Sequence, residues 1–233
     1  MKTRFYLMVT AVLLLCGTVQ LQAQVSSAKF CKTFADYTAG HWTAVSSLGV
    51  NSCELKFTDN EFKFKTDNKE ATKHLKKEAL VVQYGGHLYV NCRNLDCDEF
   101  SLDCANYAQA YRYGGKELLL VAYRIDGGAL LASLAGDIVG VAAPGVVGAV
   151  SSAASSVIWY GSKDLRGFRC YLLENSNDDG EAKIKGLNDE FMEKLLADNA
   201  ALPKQYKAAN KKSDRLSASH ILPILRDKGL IKE

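Results

Sequence analysis

The 233 residues carry 29 Lys and Arg against 26 Asp and Glu, and 48% of them are hydrophobic. This balance gives no indication of nucleic-acid binding, which requires a concentrated basic face. The apolar content and modest charge are also untypical of a disordered chain, and the length allows one sizeable core or two small ones.

The first 23 residues have the three-part layout of a secretory signal peptide. Lys2 and Arg4 precede an uncharged run from Phe5 to Cys16, and a small residue, Ala23, stands where a signal peptidase cuts. The uncharged run is too short to span a bilayer. We expect cleavage after Ala23 and export to the periplasm, the outer membrane or the exterior.

The cysteines fit this export prediction. Cys16 lies within the leader; a lipoprotein alternative would attach a lipid there, although Leu15 stands where the processing enzyme prefers Gly, Ala or Ser. Removal of the leader leaves an even number of cysteines, which in an oxidising compartment indicates disulfides whose pairing the sequence does not decide. The candidate disulfide cysteines are Cys31, Cys53, Cys92, Cys97, Cys104 and Cys170.

Four segments predict β-hairpins, because hydrophobic and β-forming residues flank short turn sequences. Gly-Gly pairs supply the positive φ angles of tight primed turns in two of them. The hairpins span residues 53–65, 79–92, 111–123 and 168–187, with turns at Asp59-Asn60, Gly85-Gly86, Gly114-Gly115 and Asp179-Gly180.

Helices are predicted in two places. Asp67 and Glu70 resemble a capping box, which indicates a short helix within residues 67–79. After residue 187 the hydrophobic spacing becomes helical, and Asn188 is a natural cap. Further helices are expected over residues 200–211 and 219–228, with Pro223 near the first turn of the last one and a glycine ending it.

One segment is unusual. The residues from Ile138 to Ser162 form a run of 25 without a charge. Small residues recur every fourth position, a stripe that permits close packing of helices. This pattern allows two short helices packed in a soluble core, a helical hairpin that enters a membrane, or a transmembrane helix; in each case we expect the stripe to face a close neighbour. The stripe consists of Ala132, Gly136, Gly140, Pro144, Gly148, Ser152 and Ser156.

No catalytic motif is present, and the sequence assigns no catalytic residue, cofactor or metal ligand. Cys92, Cys97, Cys104 and His87 could be read as a zinc site, but the spacing lacks the close cysteine pairs of structural zinc sites. Acidic residues in the same loop lack the order of a calcium site, so a solvated loop with disulfides is favoured. His41 could line a pocket, but a structural role is favoured.

Several of these segments resemble a group of uncharacterised exported proteins of Bacteroides-type bacteria, which carry a domain of unknown function. The resemblance lies in Tyr84 to Asn91, Tyr107 to Tyr113, Leu118 to Tyr123, and the Leu187-Asn188 pair that opens a Leu-rich helix. It implies a location in the cell envelope and no particular catalytic residue.

The sequence therefore predicts an α+β protein: an antiparallel sheet built from β-hairpins, with a Gly/Ala-rich helical insert and a helical C-terminus. The expected divisions are a signal peptide (1–23), a hairpin-rich domain (24–186) that contains the apolar segment 129–160, and C-terminal helices (187–233). Three functions are considered: a non-catalytic envelope protein that binds a partner protein or membrane surface, a toxin-like protein that inserts segment 129–160 into membranes, and an unrecognised hydrolase.

Overall fold

A computed structural model describes residues 28–58, 60–95, 105–123, 165–175 and 182–232. These residues form eleven strands and six α-helices. The strands are β1 (Lys29–Cys31), β2 (Thr43–Ala44), β3 (Cys53–Thr58), β4 (Glu61–Thr66), β5 (Val81–Tyr84), β6 (His87–Asn91), β7 (Tyr107–Tyr113), β8 (Glu117–Tyr123), β9 (Phe168–Asn175), β10 (Ala182–Gly186) and β11 (Ile231–Lys232). The helices are α1 (Phe34–Ala39), α2 (Lys69–Glu78), α3 (Asp189–Leu196), α4 (Leu202–Lys207), α5 (Lys212–Arg215) and α6 (Ala218–Asp227).

The described strands form one antiparallel sheet centred on β7. The main order is β10-β9-β8-β7-β6-β5-β1-β2. β6 pairs with the first half of β7 along one edge, and β8 pairs with its second half along the other. The ends of β7 carry further strands, since Phe62 of β4 lies opposite Tyr107 and Ile231 of β11 lies opposite Tyr113. The architecture is therefore α+β, as the sequence predicts.

The predicted hairpins are present, with differences at their turns. β3 pairs with β4, and β5 pairs with β6 across Gly85 and Gly86, whose φ angles are 58° and 85°. The β7–β8 turn is longer than the expected two-residue turn, because Tyr113 pairs with Glu117 and Lys116 joins the loop. β9 pairs with β10, and the predicted turn between them lies outside the described residues.

Side-chain alternation divides the sheet into two faces, which we call face A and face B, because residues paired across antiparallel strands point to the same side. One row on face A is Phe30, Val82, Tyr89, Gln109, Val121 and Cys170. The adjacent row on face B is Lys29, Gln83, Leu88, Ala110, Leu120 and Tyr171.

The helices cover these faces in three places. On face A, α2 packs its Leu75 over the β5–β6 end of the sheet. The C-terminal helices cover face A at the β8–β9 end, where Met192 and Ile221 are completely buried. α1 packs on face B through Phe34. Helices on both sides bury the central strands, and burial of these apolar side chains is the main stabilising contribution.

α2 starts one residue later than the capping-box pattern predicts. Asn68 is the N-cap, and its side chain accepts hydrogen bonds from the backbone N–H groups of Glu70 and Ala71. The Asp67 carboxylate instead accepts the N–H groups of Asn51 and Ser52. The local pattern assigned the Asp67 side chain to the helix cap, but in the structure this side chain binds backbone groups that are far away in the sequence.

The C-terminal helices follow the prediction at their first cap and depart from it afterwards. Asn188 caps α3 by accepting the N–H of Phe191 at 2.8 Å. The prediction of a single helix over residues 200–211 is wrong, since α4 ends at Lys207 and a separate helical turn, α5, follows.

The last helix, α6, also begins earlier than expected. It starts at Ala218, one residue before the expected start, and Pro223 lies in its second turn rather than in its first. The proline leaves the carbonyl of Ser219 without its helical partner. Both Pro223 and Ser219 are exposed, so water can solvate that carbonyl. Gly229, with a φ of 74°, ends the helix as predicted.

Several sequence predictions concern residues outside the described ranges. These are the signal peptide at 1–23, the acidic loop with Cys97 and Cys104, and the segment 129–160 with its small-residue stripe. Among the residues that the structure describes, no helix combines the length and apolar character that a membrane crossing requires.

Candidate functional site

The four described cysteines, Cys31, Cys53, Cys92 and Cys170, are buried, and no disulfide joins any two of them. Burial raises the pKa of the Cys31 and Cys53 thiols to about 12 and also raises that of Cys170. Such thiols stay protonated at neutral pH and are poor nucleophiles and metal ligands. Their role in the structure is packing. A disulfide that involves Cys97 or Cys104 stays a prediction, because these two residues lie outside the described ranges.

The four histidines lie on separate elements. His41 is exposed between α1 and β2, and His87 follows the Gly-Gly turn of the β5–β6 hairpin. The Nε2 atom of His220 is 2.8 Å from the carbonyl oxygen of Tyr206, and this contact joins α6 to α4. Within the described ranges, no group of three His, Cys, Asp or Glu side chains is arranged to hold a metal ion.

His74 borders a cavity of about 330 Å³ beside α2, together with Asn68, Lys73 and Lys77. The Nδ1 atom of His74 is 3.2 Å from the Glu78 carboxylate, which also binds the Lys32 ammonium at 2.9 Å. The hydrogen bond from Lys32 is the largest of the effects that lower the pKa of Glu78.

The same histidine is poorly placed for proton transfer. Its Nε2 atom is buried and has no hydrogen-bond partner, while the ring of Phe30 packs edge-on against the imidazole at a centroid distance of 5.4 Å. A general base must be within hydrogen-bond reach of its substrate proton. The Lys32–Glu78–His74 contacts therefore fasten α2 to the segment between β1 and α1 rather than form a catalytic pair.

A different group of side chains forms the candidate site, at the β1–β2 end of face B. We call it the Trp42 surface and define it by Lys29, Tyr37, Trp42, Gln83 and Arg112. The rings of Tyr37 and Trp42 lie 5.9 Å apart at an interplanar angle of 84°. The Lys29 ammonium lies 4.8 Å from the centroid of the Trp42 ring. Both aromatic side chains are half-buried, with their inner parts packed against the face B core.

Local sequence explains how these aromatic rings are positioned. Thr33 and Asp36 form a capping box at the start of α1: the Thr33 side chain accepts the N–H of Asp36, and the Asp36 carboxylate accepts the N–H of Thr33. Gly40 ends α1 with a φ of 75°, a conformation that glycine adopts without steric cost. The chain then turns into β2, so that Trp42 lies beside Tyr37 rather than along the helix.

Polar side chains of β5 and β7 complete the surface. Gln83 lies directly opposite Lys29 in the β1–β5 register, and its side-chain oxygen is buried without a hydrogen-bond partner. Arg112 of β7 is exposed and, two residues after Ala110, points to face B. Burial raises the pKa of the Tyr37 hydroxyl, and the positive charge of Arg112 opposes that rise. The surface thus combines two aromatic rings and two cations, while the unpaired Gln83 oxygen lies beneath it, out of contact with solvent.

This arrangement is suited to binding rather than to covalent chemistry. The thiol of Cys31 lies behind the surface, where it donates to the carbonyl of His41 at 3.4 Å and stays protonated. Partly exposed Trp, Tyr and Arg side chains are the groups that contribute most to protein–protein binding energy. The sequence pointed only to His41 beside Trp42; the pairing of Lys29 with β2, which brings its ammonium over the indole, has no local sequence signal.

Comparison with known proteins places the chain in a family without assigning an activity. No curated protein and no solved structure matches it. A family model described as a family of unknown function (DUF6563) matches residues 29–232. The match runs from β1 to β11 and includes the Trp42 surface, and by its extent the chain belongs to this family of unknown function.

Proposed function

We propose that this chain is an exported, non-catalytic protein of the cell envelope that binds a partner protein through the Trp42 surface. The signal-peptide layout of residues 1–23 supports export. The family match begins at residue 29, after the expected cleavage site, which is compatible with a leader that is removed.

The half-buried Trp42 carries the binding proposal. Its ring is held by Tyr37 and Lys29, so little side-chain freedom remains to be lost when a partner covers it. Rigid aromatic anchors next to Arg are typical of the few residues that dominate an interface, and truncation of such an anchor costs about 2 kcal/mol or more of binding free energy. The exposed Arg112 provides a charge that an acidic group of the partner would satisfy.

Site-specific photo-crosslinking in the organism of origin tests this proposal. A photoreactive amino acid replaces Ala44, which is exposed on the edge strand β2 and points to the same face as Lys29. A matched control position is Lys183, exposed on β10 at the opposite edge of the sheet. We expect one adduct of defined mass from position 44 and none from position 183.

The substitution Trp42→Ala should reduce the position-44 adduct at least tenfold, because it removes the anchor, while Trp42→Phe should retain part of it. Thermal unfolding of both variants monitors the fold. Adducts of equal yield at both positions, or an adduct at position 44 that Trp42→Ala leaves unchanged, would refute the proposal.

The compartment is tested separately by N-terminal sequencing of the protein from a Gram-negative host. We expect a mature N-terminus at Gln24, because Ala23 ends the signal layout. A lipid on Cys16 would establish the lipoprotein alternative. A cytoplasmic product that retains Met1 would contradict export.

The uncharged run from Ile138 to Ser162 supports one alternative function, a membrane-inserting protein that acts through segment 129–160. Release of an entrapped dye from liposomes distinguishes the two. The partner-binding proposal predicts no release by the mature protein, whereas insertion of the segment predicts release that Trp42→Ala does not change.

A further inference from the structure

A second surface, distant in sequence from Trp42, is strongly basic. Between residues 204 and 215 the chain has five basic residues and one acidic residue. The four lysines among them are exposed on α4, on α5 and on the loop that joins these helices: Lys204, Lys207, Lys211 and Lys212. We call these four the lysine surface.

Ion pairs neutralise only part of this charge. Lys207 pairs with Glu193 of α3 at 3.0 Å, and Arg215 pairs with Asp189. Lys204, Lys211 and Lys212 form no ion pair with another described residue. Lys212 is close enough to Asp189 to help lower the pKa of that carboxyl, but a binding partner would not have to break a direct salt bridge to a described residue at any of the three.

Hydrogen bonds from Arg215 and the packing of Tyr206 fix the loop that carries these lysines. Arg215 donates to the backbone carbonyls of Ala209 and Asn210 at 3.2 and 3.3 Å, while its other nitrogens bind Asp189. Tyr206 is completely buried, and its hydroxyl donates to the same carboxylate at 2.7 Å. Binding at the lysine surface would thus cost little ordering of the backbone.

We infer that the lysine surface binds the anionic headgroups of a lipid bilayer, with the protein lying on the membrane rather than crossing it. Clustered lysines near an anionic membrane contribute about 1 kcal/mol each, which is roughly fivefold in affinity per residue. Three unpaired lysines are therefore expected to contribute roughly a hundredfold. Lipid is favoured over single-stranded nucleic acid, because Tyr206, the one aromatic residue between positions 204 and 215, is buried and unavailable for stacking on bases. The inference does not depend on the Trp42 surface.

Vesicle sedimentation of the mature full chain, residues 24–233, tests the inference. We expect binding to phosphatidylcholine vesicles that contain phosphatidylglycerol, little binding to phosphatidylcholine alone, and loss of binding as salt is raised, since salt screens exposed charges. The triple variant Lys204→Gln/Lys211→Gln/Lys212→Gln should lose roughly a hundredfold in affinity. The matched control, Lys69→Gln/Lys116→Gln/Lys183→Gln, removes the same charge from exposed positions on three separate elements, α2, the β7–β8 loop and β10, and should lose only a fewfold.

Three results would overturn the inference. One is equal loss in the two triple variants, which would make net charge the cause. Another is salt-resistant binding that neither variant affects, which indicates insertion by another segment. The last is tighter binding to single-stranded DNA oligonucleotides than to anionic vesicles at the same salt concentration. Circular dichroism spectra and thermal unfolding of both variants should match those of the wild type, because none of the substituted ammonium groups packs in a core.

Discussion

The Arg215 guanidinium holds the Asp189 carboxylate at two points, with Nε 3.1 Å from Oδ1 and Nη2 3.2 Å from Oδ2. This contact links the first turn of α3 to α5, and the Tyr206 hydroxyl completes the set of donors around the carboxylate. Two-point contacts of this kind are stronger and more directional than single ion pairs. The C-terminal helices are therefore joined to each other by a polar cluster as well as by their apolar contacts with face A.

The first prediction is that Asp189→Asn lowers the free energy of unfolding by about 1–3 kcal/mol at neutral pH, because it removes the charge that Arg215 and Tyr206 satisfy. Urea titrations of the two proteins measure the difference. Glu190→Gln on the same helix turn is the control: its carboxylate is exposed and pairs with Lys194, so the expected loss is within about 0.5 kcal/mol.

The difference in unfolding free energy between the wild type and Asp189→Asn should depend on pH. The hydrogen bond from Arg215 lowers the pKa of Asp189 below the ordinary value of 3.8. A carboxyl whose pKa is lower in the folded state stabilises the fold above its unfolded pKa, and that stabilisation disappears as the pH falls through the folded pKa. The gap between wild type and Asp189→Asn should persist from pH 7 to about 5 and close below about pH 4. A gap that grows on acidification would contradict the pair geometry.

The second prediction concerns Asn91, a buried amide at the end of β6. Its Nδ2 donates to the carbonyls of Lys76 and Ala79, both at 3.0 Å, and its Oδ1 accepts the N–H of Arg93. Asn91→Asp removes both donors and places a carboxylate against two carbonyl oxygens at the C-terminal end of α2. We expect a loss of about 3 kcal/mol or more at pH 7 and a smaller loss once the carboxyl is protonated.

Two further variants separate the effect of the added charge from that of the lost hydrogen bonds. Asn91→Leu removes the hydrogen bonds without adding charge and should cost about 2 kcal/mol with little pH dependence. Asn210→Asp makes the same chemical change at an exposed residue and should cost less than about 0.5 kcal/mol. Thermal unfolding across the pH range compares the three variants, and equal losses for Asn91→Asp and Asn91→Leu at pH 7 would rule out the proposed charge repulsion.

Local patterns in the sequence predict the parts of the fold that short-range chemistry determines. The β5–β6 hairpin depends on two glycines with positive φ, and the start of α3 depends on one asparagine cap; both can be recognised from adjacent residues. The strands β1 and β2 have three and two residues, too few to show a period, and they form because β1 pairs with the edge of β5 and β2 then pairs with β1. The Trp42 surface is assembled by that pairing, so it could not be predicted locally.

The positions of the cysteines in the core could not be predicted from the local sequence either. Export and an even count favoured disulfides, because composition and compartment are all that a sequence reports about pairing. In the structure Cys53 lies under α2 and Cys170 under the C-terminal helices, in different core clusters. Their placement follows from strand register, since Cys170 lies opposite Val121 on a fully covered face.

The third prediction follows from this burial. Cys31, Cys53 and Cys170 should resist a thiol reagent in the folded protein at pH 8, because burial raises their pKa values and excludes the reagent. Intact-mass analysis after labelling should detect all three only when denaturant is present. Modification of any of them in the native protein, at a rate independent of denaturant, would contradict the buried positions.

The last prediction concerns a close approach between Gly167 and Tyr123. A Cβ atom at position 167 would lie 2.6 Å from Cε2 of the Tyr123 ring, closer than carbon atoms pack, and 3.3 Å from its Cδ2, which is a tight contact. Gly167 does not have a positive φ, so an alanine there is opposed by this contact alone. The ring is itself held against Phe168 at a centroid distance of 5.4 Å. Gly167→Ala should therefore cost about 1–3 kcal/mol of unfolding free energy.

A double-mutant cycle separates this steric effect from a change in the unfolded chain. Tyr123→Ala removes the ring, so Gly167→Ala in that background should cost nothing or stabilise slightly, since alanine restricts the unfolded state more than glycine. Urea denaturation of the four proteins gives the coupling energy, expected to be about 1–3 kcal/mol. If Gly167→Ala lowered the unfolding free energy equally with and without the Tyr123 ring, the contact between the two residues would not explain why position 167 is a glycine.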